Sequence, residues 1–109
     1  MPAYKKDFMI EQGSTWEWYI TSNSLDITGY SAELQARVDL TSADKIINMS
    51  TTNSLLTVTN NQIFASLAAA STAALTTPTM VYDLEIQSPL GKKYRILEGR
   101  IILSKEVTR

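Results

Sequence analysis

The side chains of this sequence most able to do chemistry are carboxylates and aromatic rings, because it holds no cysteine and no histidine. That absence removes thiolate nucleophiles, disulfides, the imidazole base of a Ser or Cys triad, and the usual ligands of zinc and iron-sulfur centres. Asp83 and Glu85 lie two apart on one predicted strand, a spacing a glycosidase pair could use if a cleft raised the pKa of one of them. Lys93 and Arg95 are expected on the same face, so the two carboxylates read as members of cross-strand charge pairs. Asp26, Asp39 and Asp44 are the acids nearest predicted loops, and they lack the regular oxygen-ligand spacing of a calcium loop. Trp16, Trp18, Tyr19 and Tyr30 could form a platform for sugar rings. Indoles at alternate strand positions read first as core, which leaves Tyr19 as the ring facing out. With no glycine-rich phosphate loop and no serine elbow, neither catalysis nor a cofactor is expected.

Composition narrows the classes further. With 109 residues, 44% of them hydrophobic, a single domain over residues 1–109 is expected, burying roughly two thirds of its unfolded surface. Ten basic residues stand against eleven acidic ones, and the basic ones are scattered or paired, as in Lys5 with Lys6. A phosphate backbone calls for a basic stripe, so nucleic acid is not an expected partner. Phe8 to Ile10 is too short for a signal-peptide core, and Leu67 to Leu75 is too short to span a bilayer. No membrane contact is expected, and the protein should be made and kept in the cytoplasm or leave it only within an assembly.

The elements that must position these groups are strands. Ser88 to Gly91 has the chemistry of a type I turn, with Pro89 at its second position and Gly91 free to take positive φ, so Pro89 to Gly91 is expected to be a three-residue hairpin loop. That loop sets Gln87 against Lys93, Ile86 against Tyr94, Glu85 against Arg95 and Leu84 against Ile96, with Glu85 and Arg95 pairing on the polar face. A bulge near Leu97 to Gly99 is then needed to bring Ile101 and Leu103 back to the core. Upstream, period-two alternation predicts strands at Asp7 to Glu11, Thr15 to Thr21 and Ser31 to Asp39, the last with Ala32, Leu34, Ala36 and Val38 inward. Ser22 to Ser24 reads as a turn, and Gly29 as a bend. Lys45 to Ser50, Leu55 to Thr59 and Gln62 to Leu67 follow as short strands in an antiparallel meander, the last two joined at Asn60 and Asn61. A short helical connection near residues 69–76, with Ser71 or Thr72 as N-cap and Leu75 as its apolar contact, leads to the final hairpin. The pattern as a whole predicts an all-β chain, an immunoglobulin-like antiparallel β-sandwich.

Several segments together carry a family likeness: Gly13 to Thr15; Asp26 to Tyr30 running on to Arg37; Val81 to Glu85; Arg95 to Gly99; and Glu106 to Arg109. In these the chain resembles a family of small virion proteins of tailed bacteriophages and prophages, and is loosely similar to the N-terminal domains of baseplate upper proteins. The resemblance implies a non-enzymatic structural protein of the virion, an adaptor in the tail, baseplate or neck, with other virion proteins as partners and with copies of itself in the assembly. A capsid decoration protein and a carbohydrate- or receptor-binding module are the alternatives. Contacts are expected through strand edges and through terminal segments that order in the assembly. The candidate contact residues are Tyr4, Lys5, Lys6, Tyr19, Lys105, Glu106, Val107 and Arg109.

Overall fold

The computed structural model describes residues 3–22 and 26–107. The turn expected at Ser22 to Ser24 therefore falls mostly outside the described residues, as do Thr108 and Arg109. In chain order the elements are β1 (Tyr4–Lys5), β2 (Phe8–Glu11), β3 (Trp16–Thr21), β4 (Ser31–Arg37), β5 (Ile47–Ser50), β6 (Leu56–Thr59), β7 (Gln62–Leu67), α1 (Ala69–Ala73), β8 (Thr79–Gln87) and β9 (Lys93–Ser104). A six-stranded sheet runs β1-β9-β8-β4-β5, with β2 also on β9, and a three-stranded sheet runs β3-β7-β6.

Alternation decides which face of each strand is buried. In β4, Ala32, Leu34 and Ala36 turn inward; in β8, Met80, Tyr82, Leu84 and Ile86 do the same. From the smaller sheet come Trp16, Leu56, Ile63, Ala65 and Leu67, and both inner faces join one apolar cluster. Phe8 of β2 fills the space between the sheets. Its ring lies 5.3 Å from Trp16 edge-on, 5.2 Å from Trp18 in a stacked pair and 5.4 Å from Tyr82, geometries that favour aromatic packing. Val38, expected inward, is exposed because β4 ends at Arg37.

The closing hairpin keeps its turn. Gly91 has φ of 89°, its amide donates to the Ser88 carbonyl at 2.9 Å, and the Ser88 amide donates to Lys92 at 2.8 Å. Glu85 faces Arg95, Ile86 faces Tyr94 and Gln87 faces Lys93 as the loop dictates. The next pair differs: Leu84 faces Leu97, so Ile96 is the extra residue and the bulge comes earlier than Leu97 to Gly99. One extra residue there inverts the parity of everything after it. Leu97, Ile101 and Leu103 are buried, and Glu98 lies opposite Asp83.

Two further expectations change. The sheet is not a pure meander, since β1 and β2 both pair with β9 in parallel. And α1 has Ala68 at its N-cap with no side-chain cap, because Thr72 sits inside the helix and is fully buried. The Thr72 hydroxyl accepts from the Gly13 amide at 3.1 Å and donates to the Ser14 carbonyl at 2.8 Å, tying α1 to the turn before β3. Leu75 is buried, as its expected role as apolar contact requires.

Candidate functional site

The outer face of the large sheet gathers Glu33, Asp83, Glu85 and Glu98. Glu33, Gln35, Arg37, Asp83 and Glu85 line an open groove of about 250 Å³. Burial, and next the Glu85 charge, push the Asp83 carboxyl above its ordinary value, while Arg95 opposes them. Arg95 stands opposite Glu85 in register, yet its guanidinium reaches Asp83 and Glu98, each at 3.5 Å, in place of the expected Glu85 pairing. Diagonal reach explains the choice: Asp83 and Glu98 face one another and together offer the larger negative charge. Half-exposed pairs of this kind add about 0–1 kcal/mol. Arg37 donates to the carbonyls of Ser42 and Ala43 at 2.9 and 2.7 Å, which secures the loop after β4.

The loop aspartates act locally. Asp26 accepts from the amide and hydroxyl of Thr28, and Asp39 from the same groups of Thr41 and from the Ser42 amide. These bonds hold both carboxyls below their ordinary range, side-chain bonds first. Among the described residues, no group of three or more acids is placed to hold a metal ion. No described helix is long and apolar enough to cross a membrane.

The terminal contact candidates are placed as follows. Tyr4 and Lys5 are exposed, and their backbone is strand, opposite Leu97 and Glu98 on the chain's own sheet. The Lys6 amide donates to Glu98 at 2.9 Å, and the Lys6 carbonyl accepts from the Tyr82 hydroxyl at 2.6 Å. That carbonyl occupies the space a side chain at residue 99 would need: a Cβ on Gly99 would collide with the Lys6 oxygen and lie 2.9 Å from the Asp7 carboxylate. Asp7 in turn accepts from the Arg100 amide at 3.0 Å. At the other end, Lys105 and Val107 are exposed, while the Glu106 amide donates to Gln12 at 2.9 Å and its carboxylate packs against Gly13. Arg109 lies outside the described residues. Tyr19 lies in the small sheet, 66% exposed and directly opposite Phe64, itself 40% exposed. Trp16 is buried and Trp18 half-buried against Phe8, so neither belongs to a surface platform. Phe64 was readable in advance, because Ile63, Ala65 and Leu67 inward leave it outward.

Strand edges are where these surfaces differ most. The Ser22 amide donates to the Asn61 carbonyl, and the β3–β7 register extends that bonded pair to Ile20, Trp18 and Trp16. Antiparallel pairs alternate, so Glu17, Tyr19 and Thr21 direct their backbone N–H and C=O away from β7. Among the described residues no strand receives them. On β5 the Thr51 amide donates to Ala32, and alternation turns Asn48 and Ser50 outward. One group of each is taken by a single side chain. Asn53 donates from Nδ2 to the Asn48 carbonyl at 2.9 Å and accepts at Oδ1 from the Ser50 amide, also at 2.9 Å. On β2 the outward positions are Asp7, Met9 and Glu11, a charged edge.

Compared with models of known protein families the chain matches none, and a comparison with curated proteins finds no match.

Proposed function

We propose that the chain is a non-enzymatic structural module of a tailed-bacteriophage virion, an adaptor in the tail, baseplate or neck that joins its neighbours through a strand edge and its exposed terminal residues. The observation that carries this reading is the uneven treatment of the edges: one is capped, one is charged, and among the described residues β3 is left with unpaired backbone groups beside an exposed tyrosine. Proteins that do not recruit a strand cover or blunt such edges, and an edge left open is the element used in β-augmentation. The sequence likeness in Val81 to Glu85, Arg95 to Gly99 and Glu106 to Arg109 supplies the virion context.

The same proposal assigns an immunoglobulin-like sandwich. Its support is the strand order: β3, β7 and β6 correspond to strands B, E and D, and β9, β8, β4 and β5 to G, F, C and C′. In this reading β2 occupies the edge beside G. The sheet faces then serve as scaffold, and the carboxylates around Arg95 serve as surface.

Quantitative mass spectrometry and cryo-electron microscopy of purified particles test the reading. The chain is expected at a fixed copy number, in density contiguous with tail, baseplate or neck; its absence from purified particles overturns the proposal. The exposed Tyr19 and Phe64 pair favours one second reading, a sugar-binding module. A glycan-array signal that Tyr19→Ala abolishes would establish that reading instead.

A further inference from the structure

We infer that the open edge of β3 takes the β3 of a second copy, in antiparallel pairing about a twofold axis at Tyr19, joining two three-stranded sheets into one of six. This names the partner of the edge contact proposed above and rests on that reading of the edge.

The argument begins with hydrogen bonds. Glu17, Tyr19 and Thr21 present outward donors and acceptors at every second residue, and an antiparallel copy of the same edge presents the complementary set. Centred on Tyr19, the pairing sets Tyr19 against Tyr19 and Glu17 against Thr21 of the second copy. No like charges meet. The β2 edge fails this requirement: pairing two copies about Met9 sets Asp7 against Glu11 of the other, and directly opposed like charges are destabilising. The β5 edge fails as well, because the Asn53 amide already holds the Asn48 carbonyl and the Ser50 amide that a second strand would need. β6 has four residues, and the Asn60 carbonyl at its end accepts from the Ile27 amide at 2.7 Å. β3 is the longest of these edge strands, at six residues.

Side chains agree with the backbone on both faces. Outside, Phe64 stands beside Tyr19 on the neighbouring strand, so two copies would form a ridge of four rings in the order Phe64, Tyr19, Tyr19, Phe64. Inside, Trp18 and Ile20 are only partly buried, although their β7 partners Ala65 and Ile63 are fully buried. Twofold pairing about Tyr19 places Trp18 of each copy against Ile20 of the other and extends the apolar layer across the seam. A six-residue edge buries little area, so the dimer should be weak in dilute solution and populated at high concentration or when held in an assembly.

The chain contains no cysteine, so single introduced thiols report the register directly. Bonded antiparallel pairs have Cα atoms about 5.5 Å apart, within disulfide reach. Under mild oxidation at high concentration, Tyr19→Cys is expected to crosslink at least tenfold faster than Glu17→Cys or Thr57→Cys. Sedimentation of the unmodified chain should show concentration-dependent dimer, reduced at least tenfold in association constant by Thr21→Pro, which removes an outward amide, and by Tyr19→Lys, which sets two charges on the axis; far-UV circular dichroism checks that both variants fold. An unmodified chain that stays monomeric at millimolar concentration overturns the inference, and so does crosslinking through Glu17→Cys or Thr57→Cys as fast as through Tyr19→Cys. Those results leave the module reading standing with a different strand on the edge, whereas absence of the chain from particles overturns that reading itself.

Discussion

The edges of β5 and β3 put the same question to the molecule and receive opposite answers. Each belongs to a strand with one bonded side and one side turned to solvent. On β5 a single amide, that of Asn53, matches an outward acceptor and an outward donor with a donor and an acceptor of its own. On β3 the corresponding groups of Glu17, Tyr19 and Thr21 meet no strand among the described residues. An unpaired edge invites nonspecific association, so the difference shows that exposure in this fold is a local choice made by one side chain.

The comparison can be broken most forcefully at a third edge, that of β9. Gly99→Ala places a methyl where the Lys6 carbonyl now sits; it should expel β1 and β2 and lower stability by about 3 kcal/mol in urea unfolding. An unchanged midpoint would mean that β9 does not need its N-terminal cover. The same cover can be loosened by pH. The Tyr82 phenol is held far above its ordinary value by burial first, then by the Asp7 and Glu98 charges. Above about pH 10 the unfolded chain loses a proton that the folded chain keeps, so stability should fall as pH rises from there. Tyr82→Phe should flatten that alkaline limb and cost about 1 kcal/mol at neutral pH through the lost bond to Lys6.

Asn53→Ala should convert β5 into an edge like β3, costing about 1 kcal/mol and raising turbidity on concentration; clear solutions at equal stability would show that the amide is no stopper. The smallest effect belongs to the open edge itself. Tyr19→Lys should leave unfolding within about 0.5 kcal/mol of the parent chain while it removes association, separating a contact residue from a folding residue.

What was legible in the sequence was local. Pro89 and Gly91 fix their turn by backbone chemistry, Asn60 has the positive φ that its place in a tight turn requires, and the alternation in β3, β4 and β8 sorts inward from outward side chains. The bulge was misplaced because Gly99 invites a conformational explanation, whereas its actual demand comes from a carbonyl far away in sequence. Nothing near residues 4–11 announces that β9 is their partner, so parallel pairing could not be read from turns. Asn53 was legible in kind, since Asn readily bonds nearby backbone, but its role depends on knowing that β5 is an edge. Tyr19 as an outward residue was readable from alternation; that its backbone lacks a neighbour follows only from the strand order.

The pairing of β1 and β2 with β9 also sets an order in time. Asp7 meets the amide of Arg100 across 93 positions of chain, so β1 and β2 are seated only once β9 is available to receive them. Closing that span is entropically costly and slow beside the local closure of the hairpin at Pro89 to Gly91. The seam along β9 should therefore be the last to zip during refolding, and a probe on the N-terminal segment should lag one on the hairpin turn. Without β9, β1 and β2 have no strand to pair with among the described residues, so the seating of residues 4–11 reports that a strand far along the chain is in place.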